Sequence, residues 1–218
     1  MKKKAVILLS GGIDSAVCLY IAKKKGYVCH VLTFDYGQRI SKEIVCAKKI
    51  SKKAGCSCSV IKIKIPNLKS SLVNKKMPIP AKTRRKGIPS TYVPARNTVM
   101  LSVALSYAES INASAIFIGA HIEDYSGYPD CRPEYFKAFD KVIKNGTKNR
   151  RRIRILTPIL YDSKAEIIKK GKQLNVPFHL TWTCYEGKRL ACGKCESCFY
   201  RLKGFREARI KDPIRYRR

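Results

Sequence analysis

An unbroken apolar run opens the chain over residues 5–9, and a run of that kind predicts a strand buried on both faces. Helical periodicity follows over 15–25 and stops at Gly26, a residue type that readily ends helices. "YVCHVLTF" from Tyr27 predicts a second strand, residues 41–54 a second helix, and "SVIKIKI" a third strand that alternates apolar and polar positions until Pro66. Residues 66–90, rich in Lys, Pro and Ser, hold no period and read as a mobile excursion of the kind that forms lids. Beyond them the pattern predicts a helix over 97–111, a strand in "ASAIFIGA", a helix over 135–144, a strand in "RIRILTPIL" and a helix in "SKAEIIKKGKQL", with Ser163 as its N-cap. Strands alternating with helices imply a parallel α/β sheet with right-handed crossovers.

The first strand runs into Ser10-Gly11-Gly12-Ile13-Asp14-Ser15 at the point where it must turn into a helix. Two glycines permit backbone angles and close approach that a side chain would forbid. The first helical turn offers unpaired N–H groups and the positive end of the helix dipole, which together make a phosphate site. Ser10 and Ser15 add hydroxyls, and Asp14 is placed to hold Mg²⁺ or to orient a phosphate. The plainer alternative is a tight turn with a serine cap. Neither G-x-x-x-x-G-K-[ST] nor G-x-G-x-x-G occurs in the chain.

Charge and cysteine content change the picture in different ways. The 218 residues carry 46 Lys+Arg against 15 Asp+Glu, a formal net charge of +31. Phosphate-backbone contact with nucleic acid is one reading of that excess. Because the lysines are dispersed along the chain, solvated basic faces are the reading preferred here. The basic start is followed by only five apolar residues, too few for a signal peptide, and no run approaches the roughly 18 needed to cross a membrane, so a cytoplasmic protein is expected. Of ten cysteines, Cys18, Cys29, Cys46, Cys56 and Cys58 fall in or beside apolar-periodic segments and read as small buried hydrophobes. Cys131 lies in an unusual loop. Cys184, Cys192, Cys195 and Cys198 form C-x7-C-x2-C-x2-C, a set of soft ligands suited to a closed tetrahedral site. We expect structural Zn²⁺ there; four free thiols and an Fe–S cluster are the alternatives. The whole of 1–218 is expected to be one domain, with 181–201 as its metal-binding segment.

The S-G-G-x-D-S pattern after the first strand resembles the PP-loop of the ATP pyrophosphatase families. "STYVPARN" at 90–97, "GAHIEDYSGYPDCRPEYF" at 119–136 and "TWTCYEGKRLACGKCESC" at 181–198 resemble, in that order, the 7-cyano-7-deazaguanine synthase family. Ile40 stands where that pattern usually has histidine, Thr183 for serine, Lys188 for glycine and Ala191 for proline. The resemblance implies a five-stranded parallel sheet with helices on both faces, of the adenine-nucleotide α-hydrolase kind. It also implies a carbon–nitrogen ligase that uses ATP and Mg²⁺ to convert 7-carboxy-7-deazaguanine and ammonia into the nitrile, by way of an adenylated carboxylate and an adenylated amide. A PP-loop enzyme acting on tRNA, of the thiolating or lysidine-forming type, is the alternative, and a zinc-stabilised RNA-binding module without catalysis is a second.

Roles follow residue by residue. Leu8, Leu9, Ser10, Gly11, Gly12, Ile13, Asp14, Ser15, Ala16, Val17 and Cys18 form the expected nucleotide site. Ser10, Asp14, Arg96 and His121 are the expected catalytic set, with Arg96 on a phosphate or the substrate carboxylate. His121 is either a general base or a structural histidine, and Lys164 either meets a phosphate or decorates a helix face. A guanine-like edge presents N–H donors that need a carboxylate, for which Asp124, Asp130 and Glu134 are candidates. Tyr125, Tyr128 and Arg132 complete the expected substrate site. A homodimer, no membrane contact and no specific nucleic-acid partner are expected.

Overall fold

The computed structural model describes residues 2–66, 68–80, 87–121, 128–148, 153–187 and 189–217. Five parallel strands build one sheet: β1 (Lys4–Leu8), β2 (Val28–Asp35), β3 (Ser57–Lys62), β4 (Ala115–Phe117) and β5 (Arg154–Leu156), in the order β3-β2-β1-β4-β5. The helices are α1 (Ile13–Lys24), α2 (Lys42–Lys53), α3 (Arg96–Ser110), α4 (Pro133–Gly146), α5 (Lys164–Gln173) and α6 (Glu196–Glu207).

Alternation along β1 makes the sheet two-faced and both faces apolar. Ala5 and Ile7, with Leu9 just beyond the strand, pack under α1, α2 and α5 in one buried cluster. Val6 and Leu8 pack with Leu101, Ala104 and Ala108 of α3 and Phe136, Phe139 and Ile143 of α4 in another. Each fully buried Ile or Phe of these layers contributes about 1.5–3 kcal/mol over an exposed one. The result is a three-layer α/β/α sandwich, as the alternation of elements predicts.

Strand order sets the position of the site. β1 pairs with β2 on one side and β4 on the other, so the chain reverses its direction of winding beside β1. Open parallel sheets bind ligands at that switch point, outside the carboxyl ends of the strands. The turn after β1 therefore lies where a ligand site is expected.

Part of the segment read as a mobile excursion is packed down. Ser70, Ser71 and Leu72 are buried, and Ser71 N–H donates to the Ser90 carbonyl at 2.8 Å. Arg39 N–H donates to the Leu72 carbonyl at 2.7 Å, and its guanidinium reaches the carbonyls of Asn74 (2.9 Å) and Met77 (2.6 Å). A helix absent from the sequence reading, α6, follows the last cysteines.

Candidate functional site

The turn between β1 and α1 is shaped by close contacts. Gly11 has φ +91°, and a Cβ there would lie 2.2 Å from the Glu43 carbonyl oxygen of α2. A Cβ on Gly119, after β4, would lie 2.8 Å from the Ser15 nitrogen. Backbone from three elements thus converges where only hydrogen fits. Ser10 N–H donates to Ser15 Oγ at 3.2 Å, the two hydroxyl oxygens are 3.0 Å apart, and Gly12 N–H donates to Ser10 Oγ at 3.3 Å. Gly12 is the N-cap of α1 and no side chain caps it, so the first N–H groups of the helix are not taken up within it. That is the anion-binding geometry expected from the sequence.

Of the expected nucleotide residues, Leu8, Leu9, Ser10, Gly12, Asp14 and Ser15 line a cavity of about 250 Å³. Ile13, Ala16, Val17 and Cys18 are at most 1% exposed and belong to the core. Gly11 belongs to the contact with α2.

Asp14, on the first turn of α1, accepts two hydrogen bonds from Lys164 Nζ, at 2.8 and 2.9 Å. Lys164 Nζ is also 2.9 Å from His121 Nε2, which stands 3.6 Å from Asp14. Burial pushes the Asp14 carboxyl up, but Lys164 and then His121 outweigh it and leave it below the usual carboxylate range. Lys164 is therefore a member of the site and not a surface decoration. It begins α5 at a full capping box, with Ser163 and Glu166 hydrogen-bonded reciprocally, which fixes where its stem starts. His121 is buried behind this pair.

The cavity continues to Arg96, Tyr36, Glu43, Tyr128 and Tyr185. Arg96 opens α3 after Ala95, whose φ of +50° is uncommon for a residue with a side chain and whose N–H donates to Tyr92 Oη at 3.1 Å. The Arg96 guanidinium donates to Tyr36 Oη at 3.3 Å. Burial opposes its charge, yet Tyr36, Tyr128 and Tyr185 hold it firmly protonated. Burial raises the phenols of Tyr36 and Tyr185, and it pushes the Glu43 carboxyl up to about 7 against the pull of Arg96. Tyr128 lies 2.9 Å, oxygen to oxygen, from Thr91.

The remaining expected substrate residues fall elsewhere. Asp130 is buried, and its carboxylate accepts the Asn97 N–H at 2.8 Å, so it caps the start of α3. Asn97 Nδ2 donates back to the Asp130 carbonyl at 3.0 Å. Arg132 and Glu134 are exposed, and neither lines the cavity. Asp124 and Tyr125 lie outside the described residues.

The four clustered cysteines are all buried, and their sulfurs lie within 4.8 Å of one another. Cys184 Sγ accepts N–H groups from Gly187 at 3.0 Å and Cys192 at 3.2 Å; Cys192 Sγ accepts from Cys195 at 3.3 Å and Lys194 at 3.4 Å. Hydrogen bonds from Cys195 and Cys198, joined by backbone N–H donors, hold the Cys184 thiol well below its ordinary range in spite of burial. Four converging soft donors suit a metal ion. The segment also touches the turn between β1 and α1. Trp182 N–H donates to the Gly11 carbonyl at 2.9 Å, and Lys42 Nζ sits 3.3 Å above the Trp182 ring.

The family model described as "Queuosine biosynthesis protein QueC" matches residues 4–209. The chain belongs to the QueC family. A relative from Thermoplasma volcanium, named 7-cyano-7-deazaguanine synthase, is 47% identical over 99% of this chain and 92% of its own length. One of the same name from Acetivibrio thermocellus is 50% identical over 98% of each chain. The solved structure of NMN synthetase from Francisella tularensis superposes with a TM-score of 0.51 at 15% identity, covering 96% of this chain and 88% of that one, and shares the fold.

Within the QueC family pattern, the departures noted in the sequence fall close to the site. Ile40 lines the cavity and packs against the cysteine cluster. Thr183 lines the cavity too, and among the described residues its buried hydroxyl has no hydrogen-bond partner. Ala191 is fully buried, and it pairs with the chain's last residues through N–H to the Arg215 carbonyl at 3.0 Å. Lys188 lies outside the described residues. Sequence reasoning passed over Glu43 and Gly119: one acid in the first turn of a basic amphipathic helix is ordinary, and Gly119 is one glycine beside an apolar run. It also passed over Arg201, 1% exposed, which donates to Asp212 at 2.8 and 2.9 Å and to Thr181 Oγ1 at 2.9 Å. A buried arginine leaves no periodic trace in a chain with 46 basic residues.

Proposed function

We propose that this chain is an ATP-dependent ligase that converts 7-carboxy-7-deazaguanine and ammonia into 7-cyano-7-deazaguanine. One observation carries the reading: in a member of the QueC family, a single cavity joins the phosphate turn at Ser10, Gly12 and Ser15 to the guanidinium of Arg96 and the rings of Tyr36, Tyr128 and Tyr185. One end suits a triphosphate, the other a flat anionic base.

A carboxylate oxygen is a poor leaving group, and adenylation makes it a good one. The substrate carboxylate attacks the α-phosphorus of ATP and pyrophosphate departs. Ammonia then attacks the acyl carbon, AMP departs, and a proton is lost to give the primary amide. Next, the amide oxygen attacks the α-phosphorus of a second ATP, and pyrophosphate departs again. Loss of AMP and the remaining N–H protons leaves the nitrile. Ser10, Ser15 and the α1 N–H groups cradle the departing pyrophosphate, Lys164 adds positive charge at that end, and Arg96 orients the carboxylate. His121 holds Lys164 and Asp14 in register. Mg²⁺, when bound, neutralises triphosphate charge, and Asp14 would hold it by releasing Lys164. Zn²⁺ suits the four cysteine sulfurs, and a closed thiolate set supports a structural role. A cytoplasmic location accords with ten cysteines of which none is in a disulfide; a homodimer rests on the resemblance alone, and sedimentation velocity reads it directly. Among the described residues, no helix is long and apolar enough to cross a membrane.

The test is incubation with ATP, Mg²⁺, an ammonium salt and the deazaguanine acid, read by mass spectrometry. Conversion of the acid to the amide and then the nitrile is expected. Recovery of unchanged acid overturns the proposal. The excess of basic charge favours a second reading, an enzyme acting on tRNA, which binding measurements separate.

A further inference from the structure

We propose that Glu43 is the carboxylate that reads the donor edge of the base, resting on the function proposed above. A 2-amino-pyrimidinone ring presents two adjacent N–H donors, one on the ring nitrogen and one on the amino group. A carboxylate accepts both. Among the described residues, Asp14 and Glu43 are the acids lining the cavity. Both oxygens of Asp14 are taken by Lys164 at the phosphate end. Asp130 is taken by the start of α3, and Glu134 points to solvent.

Glu43 differs from these in being held but unsatisfied. Its carbonyl is wedged against Gly11, which fixes the first turn of α2. Its side chain is only partly exposed, and among the described residues no hydrogen-bond donor or ion-pair cation reaches its carboxylate. Around it stand Arg96, Tyr36 and Tyr185, with Cys184 and Cys46 the other groups whose charges act on it or respond to it. A half-buried carboxylate left without donors is costly unless a ligand supplies them. A guanidinium for an anionic substituent, tyrosine rings for a flat surface and a carboxylate for paired N–H groups together match a 2-amino-deazapurine acid. In the unliganded protein burial favours the protonated carboxyl; a base donating two N–H groups favours the anion.

The experiment compares the deazaguanine acid with its analogue lacking the 2-amino group, by calorimetric binding and by steady-state kinetics. The wild type should prefer the amino-bearing acid by roughly 10- to 100-fold, as befits one charged hydrogen bond. Glu43→Gln, which sets an amide N–H₂ against the donors, should erase that preference while ATP affinity and melting temperature stay near wild type. A wild type indifferent to the amino group overturns the proposal, even where the variant does not fold. So does a Glu43→Gln enzyme that keeps the preference and loses only kcat or ammonia dependence, since Glu43 would then be handling the nucleophile. Discriminating binding without turnover would leave the base-reading role standing and bring down the ligase reading. Turnover with unaltered discrimination in the variant would do the reverse.

Discussion

At the scale of single residues, the site works by placing charges where water is scarce. Asp14 and Lys164 illustrate it: their side chains are 24% and 12% exposed and lie 2.8 Å apart. The pair positions a cation beside the phosphate turn and keeps Asp14 ionised. Its effect on stability has a definite sign. Lys164 and His121 depress the Asp14 pKa below its ordinary 3.8, and the other charge acting on it, more weakly, is Arg201. A depressed carboxylate contributes stability that is fully present above the unfolded-state value and is lost as pH falls through the folded-state value. Asp14→Asn should therefore be less stable than wild type at pH 7, by about 1.5–3 kcal/mol for a lost hydrogen bond to a charged group. The gap should narrow as pH drops below 3.8. Chemical denaturation of both proteins from neutral to acid pH measures this, and a gap independent of pH would show that the pair carries no net stabilisation. In the mechanism proposed above one phosphate cradle serves both activations, so the same variant should lose amide and nitrile formation together. Normal amide formation with a stall at the nitrile would mean two separate ATP sites.

At the scale of elements, the phosphate turn is held in place by neighbours remote in sequence. α2 presses on Gly11, the loop after β4 presses on Ser15, and the cysteine segment bonds to the Gly11 carbonyl through Trp182. α6 approaches α5 so closely that a Cβ on Gly204 would lie 2.3 Å from Lys164 Cγ. Arg201 on α6 clamps Asp212 of the C-terminal tail, and Tyr216 donates to the same carboxylate at 2.5 Å. A metal at the cysteines would thus tie α6, the tail and the phosphate turn into one unit. Cys192→Ser and Cys195→Ser should lower metal content and melting temperature together, since structural metal binding contributes folding free energy. For a chain this size each kcal/mol corresponds to about 2–4 °C. Cys18→Ala should leave metal content at the wild-type value. Loss of metal at a constant melting temperature would show that the site is not structural. The five strands, the phosphate turn and the cysteine quartet were legible in the sequence because each is a local pattern. The limits of the short strands were less so. Ile118, Ile159 and Leu160 are buried and look like strand, yet β4 ends at Phe117 and β5 at Leu156. Burial and ladder pairing are different constraints, and periodicity reads only burial. α6 escaped because its buried positions are Cys198, Arg201, Gly204 and Phe205, a face with one large apolar side chain. The capping role of Asp130 escaped because it depends on Asn97, thirty-three residues away.

At the scale of the whole molecule, the charge of +31 is the property that the site does least to explain. A triphosphate and an anionic base need a few cations; Arg39 and Arg96 line the cavity, and Lys164 stands beside it on Asp14. The other basic residues are dispersed along the chain: the last turns of α1, α2 and α5 each carry two lysines. Lysines there favour helix C-termini through the dipole, by about 0.3–1 kcal/mol each. A distribution of that kind attracts polyanions without recognising them. Binding to tRNA should therefore be measurable at low salt, indifferent to sequence, and steep in its salt dependence. A protein touching six to ten phosphates loses about 10³- to 10⁵-fold in affinity between 50 and 200 mM salt. Gel-shift titrations with tRNA and with unrelated RNA of the same length, at both salt concentrations, measure the slope and the preference together. Parallel loss for the two RNAs is the result expected of an enzyme whose substrate is the free base. Affinity for tRNA that survives 200 mM salt and exceeds that for the control RNA would instead give the basic surface a substrate, and would place the chemistry of this cavity on a base already built into RNA.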